Sequence, residues 1–288
     1  MAGVGSHQDG LDVTRPGDVT EAEVEAYRAT YTRSNKGLLD SFEFWLEFRP
    51  DVLKRHKART RHYESVHEPA RPLVGVLGAL HQYTIGAFRE GVGYELRLAQ
   101  TLGATRTDLL DTLSLAFVHS GHRGMYAAAS HSQFLRDYAD PVVADRFPAG
   151  WAFDAGAFDS GMDYGEREAT PADLAALRDW YERTLGEVPR YVGFLERHRP
   201  GLLKAYRDRY EHAIRDSLPA QMLPYVMLNH NVVRGFAEGI REHVLLGRAV
   251  GMTREQLLDA ICFGVLHAGI NALGIVDDAA GDVLQELS

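Results

Sequence analysis

Residues 86–121 and 234–269 align without a gap at a shift of 148. Phe88 falls on Phe236, Glu90 on Glu238, Gly91 on Gly239, Gly103 on Gly251 and Thr105-Arg106 on Thr253-Arg254. Leu109-Leu110-Asp111 falls on Leu257-Leu258-Asp259, His119 on His267 and Gly121 on Gly269. An internal repeat constrains architecture more than any local signal, because each copy must form the same supersecondary unit. An Arg-Pro pair at 49–50 recurs at 199–200, a shift of 150, so the repeat extends upstream with a small length difference between its parts.

The periodicity within each copy is helical. Thr20 with Glu23 has the spacing of a capping box, and Thr105 with Asp108 repeats it. Pro171 after Thr170 reads as the first residue of a helix. Residues 72–102 and 222–249 carry no internal breaker strong enough to stop a long apolar helix, and each reads as one. Gly103 stands where a C-terminal glycine belongs. No alternating strand pattern is present. The chain is therefore expected to be all-α, with two tandem helical repeats packed as a pseudo-symmetric pair. The expected divisions are a flexible arm (1–18), a first repeat (19–130), a connector or lid loop (131–170) rich in Gly, Asp and aromatics, and a second repeat (171–288). Phe42, Trp45 and Phe48 are spaced as core residues, and Cys262 lies in an apolar run.

Charge narrows the function. The net charge is −9 with no basic stripe, which argues against nucleic acid as a partner. No apolar run reaches the length of a membrane span, and the first residues lack the pattern of a secretory signal, so a cytoplasmic location is expected. Neither a glycine-rich phosphate loop after a strand nor a G-x-S-x-G elbow occurs.

The helix, the G-A-T-R and G-M-T-R turns at 103–106 and 251–254, and the following helix resemble the carboxymuconolactone decarboxylase and alkylhydroperoxidase D-like family. The resemblance covers about 36 residues in each copy. It implies an all-α fold and a homo-oligomer. Single-copy members build hexamers, so two copies per chain point to a trimer. The peroxidase branch uses a Cys-x-x-Cys pair followed by a His. The His position is His243, but the thiol positions hold Phe236 and Gly239 in one copy and Phe88 and Gly91 in the other, where Glu95 replaces the His. Thiol–disulfide peroxide reduction needs both sulfurs and is excluded. The decarboxylase branch, which uses neither thiols, metals nor organic cofactors, is the nearer analogy.

Counting along antiparallel helices from the glycine turn brings Glu238 level with His267, and Glu90 with His119. Such a pair is either a catalytic base with its orienting carboxylate or a buried structural clasp. His243 is expected as a general acid/base or as a partly exposed His beside Glu242. His230, Arg234, Glu95 and His81 are candidate substrate-binding residues, with Arg234 either clamping a carboxylate or pairing with Glu238. The expected activity is cofactor-independent proton transfer, decarboxylase- or lactone-processing-like, on a small carboxylated metabolite. Two alternatives stand beside it: a metal-dependent enzyme using His119, His122 and His131, and a non-catalytic ligand-binding or assembly protein.

Overall fold

The computed structural model describes residues 7–8, 10–15, 17–33, 38–66, 72–143, 145–214 and 217–287. Among these residues the fold is all-α apart from one minimal strand pair, β1 (His7–Gln8) and β2 (Leu11–Asp12). The first half contains α1 (Glu21–Arg33), α2 (Asp40–Phe48), α3 (Pro50–Val66), α4 (Pro72–Ile85), α5 (Arg89–Thr101), α6 (Arg106–Ser120) and α7 (His122–Ala129). A short α8 (Ser132–Arg136) opens the connecting segment. The second half contains α9 (Pro171–Leu185), α10 (Arg190–His198), α11 (Pro200–Glu211), α12 (Met222–Arg234), α13 (Ala237–Ala249), α14 (Arg254–Ala268) and α15 (Ala272–Glu286).

The starts of α2, α3 and α4 recur 150 residues later in α10, α11 and α12, and those of α5 and α6 recur 148 later in α13 and α14. The capping boxes form as the sequence requires. Thr105 and Asp108 cap α6, Thr170 and Asp173 cap α9, and Thr253 and Gln256 cap α14, each satisfying two otherwise orphaned backbone donors. Lys204 of α11 donates to the Asp173 carboxylate at 2.9 Å with both side chains buried. Lys54 of α3 does the same to Glu23 of α1 at 2.8 Å, again 150 residues apart.

Two long helices expected from the sequence are broken. The first stops at Ile85 and resumes at Arg89, with Ala87 at φ 57° in the corner; the second stops at Arg234 and resumes at Ala237, with Gly235 at φ 62°. A left-handed residue cannot continue a right-handed helix, so each apolar run folds back on itself. Helix α4 packs on α5 and α6, α12 packs on α13 and α14, and α4 and α12 meet at the centre. One apolar core runs from Leu73 to Leu284 through both halves.

Three further segments take definite positions. The described part of the N-terminal arm is held in place: Leu11 is fully buried with Tyr27, Tyr31, Leu46 and Leu53, and the Asp12 amide donates to Glu23. Of the three aromatics assigned to the core, Trp45 and Phe48 are exposed, 40% and 59% accessible, and Phe42 is only partly buried. The segment after α8 packs inward through Tyr138, Phe158 and Met162 as a strap on the core. Among the described residues no helix is long and apolar enough to cross a membrane.

Candidate functional site

Four helices of the second half each present an i, i+4 pair toward one cavity of about 230 Å³. Tyr191 and Leu195 come from α10, Tyr206 and Tyr210 from α11, and Met227 and Asn231 from α12. Gly239 and His243 come from α13, with Glu242 beside them and Phe236 at the corner before the helix. The corner depends on glycine at 239: a Cβ there would lie 2.5 Å from the Phe236 ring and 2.7 Å from the Asn231 amide nitrogen. Gly91 faces Phe88 in the same way, at 2.4 Å. The repeated F-x-x-G thus records a ring folded over a bare helix face.

Glu242 and His243 are both buried, only 7% and 4% accessible. Glu242 accepts a hydrogen bond from the Tyr191 hydroxyl at 2.9 Å, and a long one from Tyr181 at 3.5 Å. Burial pushes its carboxyl up to about 7, against the pull of the Tyr191 hydrogen bond and the Arg207 charge; nearby Glu238 pushes it further up. Arg207 does not enter the cavity as a free cation. It pairs with Glu211 at 2.6 Å, donates to the Phe158 carbonyl at 2.7 Å and lies 3.9 Å over the Trp180 ring.

His243 Nδ1 lies 2.8 Å from the Gly239 carbonyl and 3.2 Å from the Asn231 amide nitrogen. A proton on Nδ1 satisfies the carbonyl and leaves Nε2 as an acceptor, buried and without a partner among the described residues. Burial lowers this imidazole to about 4, so it is neutral at physiological pH.

The other expected residues divide into three groups. Glu90 and Glu238 do not clasp the histidines. Glu90 accepts from the Asp40 amide at 2.8 Å, and Glu238 accepts from the Arg190 amide, so each caps the first turn of α2 or α10. A carboxylate is well placed there, where four backbone donors lack helix partners. His267 bonds the Phe263 carbonyl at 2.9 Å and packs edge-on to Tyr83.

His81, His119 and His230 gather where α4, α6 and α12 meet. His81 Nε2 lies 3.4 Å from His119 Nδ1, the His81 and His230 rings are 6.1 Å apart, and His230 bonds the Gln82 side chain at 3.2 Å. Burial lowers all three, His119 to about 3 and His230 to about 4. The His119 ring reaches the back of Tyr210, a cavity wall, at 6.4 Å. Arg234 is exposed at the end of α12, and the corner at Gly235 separates it from Glu238, so the expected i, i+4 pair on one helix does not form. Glu95 is buried in α5 at the position 148 before His243.

The metal set is dispersed. His122 is exposed beside Tyr126, and His131 bonds the Arg89 carbonyl at 2.9 Å, away from His119. Among the described residues no three His, Cys, Asp or Glu side chains are placed to hold one metal ion.

Sequence reasoning missed Tyr191, Tyr206, Tyr210, Met227 and Asn231, and passed over Glu242. The available signal was the Y-x-x-x-Y spacing at 206–210 with R-x-x-x-E at 207–211, which puts two rings on one helix face and an ion pair beside it. A wider hollow of about 440 Å³ lies between the start of α14 and the end of α15, lined by Thr253, Arg254, Glu255, Gln285 and Leu287. None of those residues is a buried titratable group, so it carries less chemistry. Comparison with family models, with curated proteins and with solved structures finds no match to this chain.

Proposed function

We propose that the chain is an acid–base enzyme whose working site is the cavity around Glu242 and His243. The single observation that supports this most is their pairing: two adjacent buried titratable side chains, one carboxyl poised near neutrality and one imidazole nitrogen without a partner, on one cavity wall. A group transfers protons best when its pKa lies near the working pH. Glu242 meets that condition and is the proton carrier. His243 is too weak a base for that role; its Nε2 accepts a hydrogen bond from the substrate and orients it. This reassigns the chemistry from His243 to its neighbour. Proton transfer here calls for no cofactor, in keeping with the resemblance to the decarboxylase branch. None of the described lining residues is Lys or Arg, so a free carboxylate on the substrate has no cationic partner among them. The reading therefore moves from a carboxylated metabolite to a small molecule without one.

Tandem pseudo-symmetric packing and a trimeric assembly belong to the same proposal. The exposed Phe44, Trp45 and Phe48 of α2 and Phe194 of α10 are the surfaces that assembly would cover. Turnover of a panel of small cyclic ketones, lactones and amines, followed by NMR in deuterated water, tests the activity. Solvent exchange or product formation should follow one ionisation near pH 7 and be lost in Glu242→Gln. Activity that survives Glu242→Gln with an unchanged pH profile would remove the assignment.

A further inference from the structure

The cavity wall is mostly ring. Tyr191, Tyr206, Tyr210 and Phe236 line it, with Leu195 and Met227 between them. Besides the tyrosine hydroxyls, its polar side chains are the Glu242 carboxyl, the neutral His243 and the Asn231 amide. Aromatic faces carry negative charge, and a ring box closed by a carboxylate attracts a cation by both terms. The same protein already seats cations on rings: beside the cavity Arg207 lies over Trp180, with the Tyr181 and Tyr210 rings at 5.4 and 5.0 Å, and in the first half Lys57 lies 4.8 Å from the Phe42 ring. Arg207 is neutralised by Glu211, so it does not make the neighbouring cavity positive.

We infer that the cavity binds a small organic cation, an ammonium group carried on an apolar or aromatic body, with Glu242 as its counter-ion and the tyrosines as its cage. This deepens the preceding proposal and rests on the cavity being the working site. The size fits: a cavity of about 150 Å³ accommodates benzene, and this one is about 230 Å³. The groups facing Glu242 are Tyr181 from α9, Tyr191 from α10, Tyr206, Arg207 and Tyr210 from α11, and Glu238 and His243 from its own helix. With Arg207 paired, Glu242 is, among the described residues lining the cavity, the ionisable group without a counter-charge near neutrality. Binding a cation there favours the carboxylate, so uptake of ligand releases a proton when Glu242 begins protonated.

The test uses three probes of one shape and three charges: 2-phenylethylammonium, 2-phenylethanol and phenylacetate, titrated calorimetrically into the whole protein at pH 8 and pH 5.5. At pH 8 the ammonium should bind at least about tenfold tighter than the alcohol, and phenylacetate most weakly. At pH 5.5 the ammonium's advantage should shrink and its binding should release protons to buffer. Glu242→Gln should keep alcohol binding, reduce the charge preference to what the rings alone supply, and lose the proton release. If the alcohol or phenylacetate ties or beats the ammonium at pH 8, the cation assignment falls and the acid–base cavity stands. If the preference persists undiminished in Glu242→Gln, Glu242 is not the counter-ion and the assignment of the cation to this carboxylate is refuted. If none of the three binds, the cavity reading falls with it.

Discussion

Replacing Glu242 with Gln should stabilise the protein, and by an amount that depends on pH. The side chain is 7% accessible, and its carboxyl titrates at about 7 against an ordinary value of 4.5. A group with a raised folded pKa holds its proton more tightly in the native state than in the unfolded chain. Its contribution is fully present below about pH 4.5 and is lost as pH rises through 7. At about 1.4 kcal/mol for each tenfold change in acidity, the loss across that window is about 3 kcal/mol. Gln cannot ionise, and its amide still accepts from Tyr191. Urea unfolding of both proteins from pH 4 to 9 measures the difference directly, because every other titrating group cancels. The curves should run together near pH 4 and separate by about 3 kcal/mol above pH 8, with Gln the more stable. A constant offset across the range would refute the argument, since it would mean that Glu242 ionises as easily in the native protein as in the unfolded chain.

Five other substitutions probe the cavity and the helical frame. Lys204→Met leaves Asp173 buried and unpaired and should cost about 3–5 kcal/mol in chemical denaturation; Lys54→Met, whose Glu23 partner is more accessible, should cost less. Gly239→Ala drives a methyl against Phe236 and Asn231 and should cost about 1–3 kcal/mol, read as a lowered Tm. Tyr191→Phe removes the shorter hydroxyl bond to Glu242 and should move that carboxyl further up, visible in carbon-13 NMR of labelled Glu; Tyr181→Phe, whose bond is long, should move it less.

The helices and their caps were legible because their causes are local. Thr105, Thr170 and Thr253 each have the acid or amide three residues on that closes a capping box, and nothing distant is needed. The corners at Ala87 and Gly235 were not legible. Composition allows a helix through both, and only the rings of Phe88 and Phe236 folding onto Gly91 and Gly239 show why the chain turns. Glu90 and Glu238 were correctly singled out as shared residues, but the sharing reflected a capping duty toward α2 and α10. Counting heights along two helices cannot see a third helix arriving with a free amide.

The same comparison shows how the two halves differ at the position of Glu242. Shifting back by 148 turns Glu242 into Tyr94 and His243 into Glu95. Tyr94 stacks on Tyr31 at 6.4 Å, and its neighbourhood closes with Lys57 donating to the Tyr31 hydroxyl at 3.0 Å. Position 57 shifted by 150 is Arg207, so both halves place a cation among aromatic rings beneath the same helix. In the first half Tyr94 holds the position of Glu242, and Lys57 lies against the rings of Tyr27, Tyr31 and Phe42. In the second half a carboxyl stands there instead, too buried to ionise freely and close enough to Arg207 not to be silenced. Such a balance confers little stability, since replacing a buried charge with an apolar group is often neutral or favourable. Under the proposed acid–base reading, a buried carboxyl in one half of a frame whose other half carries tyrosine is there for what it does to a ligand, not for what it does for the fold.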